Sequence, residues 1–266
     1  MRVFYRENRF FCGAFMDVEI YPVFKKPGRR KKQCKPSSEI QKRLNQRRRE
    51  LKLTRLIHTN FTNQDIALHL TYDDENLPKD DTQAKRDVQN FLRRVNYFRR
   101  KNGLAGLKYI SVTEKGKKTG RYHHHILMQG DIDRDVLEGF WKKGIANADR
   151  LKFGKNGLVG LSKYMVKAPV FDKHYNCSRN LAQPVVKTRD NAITGTKARE
   201  LCECAEYAQP FEALYPGYTF AEAEPLLNQV NGGYYLLVRM RREAAMQRGE
   251  TTQNKNAKIG VWMAQT

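Results

Sequence analysis

Between Ile66 and Lys167 the apolar residues switch repeatedly between a period of two and a period near 3.6, which limits the segment to alternating strands and helices. Ile66 to Tyr72 reads as a strand, closed by the polar turn Asp73-Asp74-Glu75-Asn76-Leu77-Pro78. Asp81 or Thr82 then caps a helix running to about Lys101. Val88, Phe91, Leu92, Val95 and Phe98 form its apolar stripe, Lys85, Arg86, Arg93, Arg94, Arg99 and Arg100 face outward, and Asn102-Gly103 stops it. Leu107 to Glu114 and Arg121 to Gln129 are strand-like runs joined by a Gly- and Lys-rich loop, as in a hairpin. A short helix (Asp131 to Trp141), a strand (Ile145 to Lys152) and a helix (Leu158 to Lys167, ahead of Pro169) follow. That order predicts an α+β domain, a central antiparallel sheet with helices packed on it.

The flanks differ in character. Residues 1–57 read as a basic arm, with Lys25 to Lys32 as its most charged stretch. They end in a basic helix from Ser38 to Leu53 that carries Lys42, Arg43 and Arg47-Arg48-Arg49 and suits phosphate contact. The nuclease-like core is expected over 58–181. Residues 182–266 form a C-terminal accessory region whose apolar runs are Phe211 to Tyr218 and Tyr234 to Val238.

Charge narrows the partner. Fifty Lys and Arg against 28 Asp and Glu give +22 over 266 residues, and such an excess calls for a polyanion such as nucleic acid. No apolar run approaches the roughly 20 residues that span a bilayer, so no membrane partner is expected. The N-terminus lacks a signal-peptide core. Five cysteines without a Cys-x-x-Cys pair fit a reducing cytoplasm.

Two short stretches carry chemistry. In Arg121-Tyr122-His123-His124-His125-Ile126-Leu127-Met128, alternation sends His123 and His125 to one face of a strand and His124 to the other. Two imidazoles about 7 Å apart along a strand can converge on one metal ion. With Lys115 to Gly120 as the loop, Glu114 pairs opposite Arg121 and lies on that same face, diagonal to His123. Two imidazoles and a carboxylate leave positions open for water and substrate, a set suited to Mg2+ or Mn2+ as a Lewis acid. The second stretch is Ser162-Lys163-Tyr164-Met165-Val166-Lys167, which on a helix makes Tyr164 and Lys167 neighbours. Phenol is a weak nucleophile at neutral pH, and a nearby ammonium and a metal-polarised phosphate both favour its ionised form.

Taken together, Leu70 to Pro78, Glu114-x-Gly116 with Gly120 to His125, and Tyr164-x-x-Lys167 resemble the HUH endonuclease superfamily, in particular the rolling-circle replication initiators of single-stranded DNA bacteriophages. The resemblance runs from about Ile57 to Leu181. It implies a ferredoxin-like nuclease domain in which His123, His125 and Glu114 hold the divalent ion. Tyr164 would attack the scissile phosphate to give a 5′-phosphotyrosine and a free 3′-hydroxyl, and Lys167 would assist. It further implies a single-stranded origin hairpin as substrate and a host helicase and polymerase as partners. Two positions depart from the pattern: His124 stands where an apolar residue is usual, and His69 interrupts the first strand. Only one well-placed tyrosine is evident, Tyr175 lying too far along for the same helical face. Two other readings compete. One is a non-catalytic binder of single-stranded nucleic acid, and the other is a transposase or mobilisation nuclease of the same chemistry.

Overall fold

The computed structural model describes residues 3–24, 39–116, 119–167, 174–228 and 232–242. In chain order the elements are β1 (Val3–Cys12), β2 (Phe15–Phe24), α1 (Glu39–Asn60), β3 (Ile66–Thr71), α2 (Asp81–Lys101), β4 (Tyr109–Lys115), β5 (Tyr122–Met128), α3 (Arg134–Glu138), β6 (Ala146–Arg150), α4 (Val159–Met165), β7 (Asn176–Cys177), β8 (Val185–Asp190), α5 (Gly195–Glu203), α6 (Gln209–Leu214), β9 (Tyr218–Asn228) and β10 (Gly233–Arg242). The strands form two antiparallel five-stranded sheets, so the expected α+β class is present. No described helix is long and apolar enough to cross a membrane.

The chain divides into two compact units. The central unit holds Asn60–Gly154 and Leu158–Ala182. Its strand order, β6-β3-β5-β4-β7, places the first and third strands of a βαββαβ run at the centre, the ferredoxin-like arrangement. Along β3 the burial alternates, with Ile66, Leu68 and Leu70 inward, because one face packs on helices and the other does not. Ile126, Met128, Ala148 and the stripe of α2 (Ala84, Val88, Phe91, Leu92, Val95) complete that core.

Three local expectations change here. The cap of α2 is Asp80, whose carboxylate accepts from the Gln83 amide, while Asp81 instead accepts a hydrogen bond from the Tyr122 hydroxyl. Arg99 does not face outward: it stands one turn beyond Val95, continues the buried stripe, and is wholly buried. Its guanidinium donates to the Asp131 carboxylate and to the Ala105 carbonyl, which makes that burial tolerable. The tyrosine-bearing helix is also shorter than expected, Val159–Met165, so Lys167 falls past its end. The two termini of this unit are tied together, since Asn60 and Ala182 exchange two hydrogen bonds of 2.8 Å.

The other unit is discontinuous, built from Met1–Thr59, Lys155–Gly157 and the chain from Gln183. Sequence suggested a basic arm over 1–57 and a separate accessory region over 182–266; instead β1 and β2 share one sheet with β8, β9 and β10, in the order β8-β1-β2-β10-β9. The run Lys25 to Lys32 lies outside the described residues. Residues Gly13 and Ala14 join β1 to β2 in a two-residue turn, with Gly13 at φ +62° as its first position requires. A Cβ at Gly13 would sit 2.4 Å from the His58 carbonyl oxygen, so even alanine is excluded. One sheet face buries Met16, Val18, Ile20, Leu236, Val238 and Met240 against α5 and α6.

The opposite face, under α1, holds a buried ionic cluster. Arg239 donates twice to Asp17, at 2.9 and 3.2 Å, and Arg55 bridges Asp17 (3.1 Å) and Glu19 (2.7 Å). Burial alone would raise the Asp17 carboxyl, but the two guanidinium groups hold it below its ordinary value. Removing this carboxylate strands two buried cations. Asp17→Leu is therefore expected to lower unfolding stability by about 3–5 kcal/mol in denaturant titrations, the usual result of breaking a buried pair. A variant replacing Asp17, Arg55 and Arg239 together with apolar residues should recover part of that loss. Beside the cluster, burial pushes the His58 imidazole down to about 3 from its ordinary 6.5. The folded ring is neutral, while the unfolded ring takes up a proton between those values. Its contribution is thus complete above pH 6.5, declines as pH falls through the window, and is gone below about pH 3. Denaturation midpoints measured across that window should fall, and His58→Phe should flatten the trend.

Candidate functional site

Pairing register decides which side chains meet on the helix-free face of the central sheet. In β5, His123 lies directly opposite Glu114 of β4 and Thr71 of β3, and His125 lies opposite Val112 and His69. Directly paired residues share a face, so His69, Glu114, His123 and His125 all project to the same side. Sequence reasoning set Glu114 opposite Arg121. The strands instead pair Lys115 with Tyr122, and the connecting loop is Gly116 to Arg121, closed by Gly116 N to Arg121 O (2.8 Å) and Gly120 N to Gly116 O (2.8 Å). This shift of two positions keeps Glu114 on the expected face and brings it opposite His123. A Cβ on Gly116 would lie 2.7 Å from Thr119 Oγ1 and 3.3 Å from His123 Nε2, so the glycine makes room for the imidazole.

The rings form one cluster. His69 stacks on His125 with centroids 4.6 Å apart and planes 4° from parallel, and lies 5.6 Å from His123. Tyr164 of α4 packs edge-on against His125 at 5.1 Å. Glu114 Oε2 is 3.7 Å from His125 Nε2. Burial, together with charge on His125 and His123, pushes His69 down to about 4. Burial followed by His125 lowers His123 as well, with Glu114 opposing. These two imidazoles are therefore neutral at physiological pH, the state in which a ring nitrogen can bind a metal. His123 Nδ1 is buried with no hydrogen-bond partner among the described residues, an unmet need for a donor or an ion. As the side chains stand, no three His, Cys, Asp or Glu groups among the described residues form a ready metal cage.

His124 belongs to the other face and serves the core. It is fully buried, with Nε2 2.8 Å from the Tyr72 hydroxyl and Nδ1 2.8 Å from Thr113 Oγ1, and it meets Trp141 edge-on. Burial pushes its imidazole down to about 3. A polar ring is stable here because both nitrogens are engaged. That is the physical reason the position need not be apolar.

Tyr164 is 44% exposed, which leaves its hydroxyl accessible beside the imidazoles. Burial raises its pKa, as do the charge of Glu114 and a hydrogen bond to that carboxylate. Lys167 is not brought into the cluster. Its amide donates to the Tyr164 carbonyl at 3.1 Å, but its side chain is exposed and has no partner among the described residues. Sequence reasoning treated His69 as an irregularity and missed it as a member of the site. The signal was present: Ile66, Leu68 and Leu70 point inward, so His69 points out, and the central pair of a βαββαβ sheet puts it beside His125.

Comparison with known proteins adds one finding. No curated protein and no solved structure matches the chain. Residues 65–169, which contain His69, Glu114, His123, His125, Tyr164 and Lys167, match a family of replication-associated proteins, the one named for ORF2 and the gene II protein, and this segment is therefore similar to proteins of DNA replication.

Proposed function

We propose that this chain is a replication initiator of the HUH type, which nicks single-stranded DNA by transesterification onto Tyr164. The observation that carries this reading is the contact of an accessible tyrosine with His125 on the sheet face that also bears His69, His123 and Glu114. The family similarity of residues 65–169 points the same way. The Tyr164 phenol is raised in pKa and engaged with Glu114, so it needs a proton acceptor and a positively charged phosphate environment to react. Glu114 stands where it can take that proton. Tyr164 Oη then bonds to phosphorus, the bond from phosphorus to the 3′ oxygen breaks, and that oxygen leaves as a free 3′-hydroxyl after protonation. The 5′ phosphate remains on the tyrosine.

The donor set fits a divalent ion in its chemistry: neutral imidazoles, a carboxylate and an orphaned His123 Nδ1 on one face. His123, His125 and Glu114 would hold Mg2+ or Mn2+, which would supply Lewis-acid polarisation of the phosphate when bound. The residues of the chain position the phenol against the face and receive its proton. Lys167, exposed and past the helix end, could reach a bound phosphate only with DNA present, as a positioning residue. The proposed substrate is a single-stranded origin hairpin, and the exposed 3′-hydroxyl would pass to a host polymerase, with a host helicase opening the template. Incubation with labelled single-stranded DNA and Mn2+, followed by a denaturing gel, should show a protein-linked band that disappears with chelator. No adduct on any single-stranded substrate tested, under conditions where the DNA is bound, would overturn the proposal and leave a basic DNA-binding protein.

A further inference from the structure

A groove in the discontinuous unit, outside the unit that carries the tyrosine, has its own chemistry. It opens between α1 and the outer strands β1 and β8, with a volume of about 390 Å³. Its floor is apolar: Phe10, Leu51, Pro184 and Val186, the last 49% exposed on the edge strand. Its rim is cationic. Arg48 and Lys52 stand one helical turn apart on α1 and are exposed, and neither forms an ion pair among the described residues. The groove also contains Glu19, but that charge is already matched by Arg55, which is held by Asp17 as well and lies 3.6 Å over the Phe10 ring. Two unmatched positive charges thus border a floor of apolar side chains.

We propose that this groove is a binding track for single-stranded DNA, with phosphates on Arg48 and Lys52 and bases lying over the apolar floor. The inference deepens the DNA-processing reading above and rests on it for the choice of partner. Charge complementarity selects a polyanion, and exposed apolar surface beside the charges selects one with unpaired bases, since a duplex hides its base faces. A volume at the low end of ligand pockets suits a base and its sugar. Arg47 takes no part, because it is committed to Glu224 at 2.6 Å.

The test uses the full chain in chelator, so that binding is read without cleavage, and a short fluorescein-labelled oligothymidylate read by anisotropy. Arg48→Ala with Lys52→Ala should weaken binding about tenfold at low salt and make the slope of log K against log salt shallower by about 1.4. A charge-matched control, Arg86→Ala with Arg93→Ala on α2, should change neither quantity by more than a small fraction of that. Val186→Glu, at an exposed position the fold tolerates, should weaken binding comparably by placing an anion in the groove. Unlabelled duplex should compete poorly against the single strand. Equal losses in the groove and control variants would mean that only net charge matters, and equal competition by duplex would mean that bases are not read; either overturns the proposal. Adduct formation on saturating oligonucleotide should stay at the wild-type rate in the Arg48/Lys52 variant. Failure of the groove therefore leaves the nuclease reading standing, whereas wild-type protein that binds but never forms an adduct removes the nuclease reading and leaves the groove scored by its own measurement.

Discussion

Replacing Tyr164 by Phe is expected to abolish covalent attachment to DNA, a loss on the order of 10³-fold or more, while leaving DNA affinity within about twofold. The substitution removes one oxygen and keeps the ring that packs edge-on against His125. Nothing in the core depends on that oxygen, as the residue is 44% exposed. Unfolding midpoints should therefore match the parent chain, which separates a chemical defect from a folding one. If Tyr164→Phe forms adducts at the parent yield, another nucleophile acts, and peptide mapping of the adduct would identify it.

The second large effect is expected at the histidines, and it differs between neighbours. His123→Ala should reduce affinity for Mn2+, measured by calorimetry on the protein without DNA. The reduction should be at least the roughly 10–100-fold that loss of a mere supporting partner costs, and metal-dependent cleavage should disappear with it. Its buried Nδ1 has no protein partner to lose, so stability should hardly fall. His124→Ala should do the reverse. It deletes a fully buried ring and leaves Tyr72 and Thr113 each short of a partner, so about 2–4 kcal/mol of stability should go while metal affinity persists. Parent-like metal affinity in His123→Ala would count against the metal site. His69→Ala belongs in the same series, because its ring lies parallel to His125 and restrains how that side chain can turn.

The central sheet was readable because its strands are half-buried. Period-two burial in β3 is a direct imprint of one packed face, and the stripe of α2 is likewise an imprint of the core. The same logic carried Glu114, His123 and His125 to one face, where the structure keeps them. What failed was finer. A loop shifted by one residue at each end changed the partner of Glu114 without changing its face, and a polar guanidinium at Arg99 hid a core position. The first sheet was not legible at all. In β1, Arg6, Glu7, Asn8 and Arg9 run consecutively, and Glu7 is buried because Tyr215 donates to it from far along the chain at 2.9 Å. No local window contains that partner. Asp17, flanked by apolar residues, likewise gave no sign of Arg239. Where polar residues are buried by distant charges, hydrophobic patterning loses its meaning.

The clasp between Asn60 and Ala182 has a consequence for how the protein is made. It closes the central unit on itself, so that unit has all its strands once Ala182 has left the ribosome. The first hairpin cannot be completed so early, since Asp17 finds Arg239 only across a separation of 222 residues. During synthesis β1 and β2 must wait, their sheet edges open, while a whole second unit folds between them and β10. Translation pauses or a truncation before β10 would leave those edges exposed to other chains, so the last strand governs whether newly made protein stays soluble.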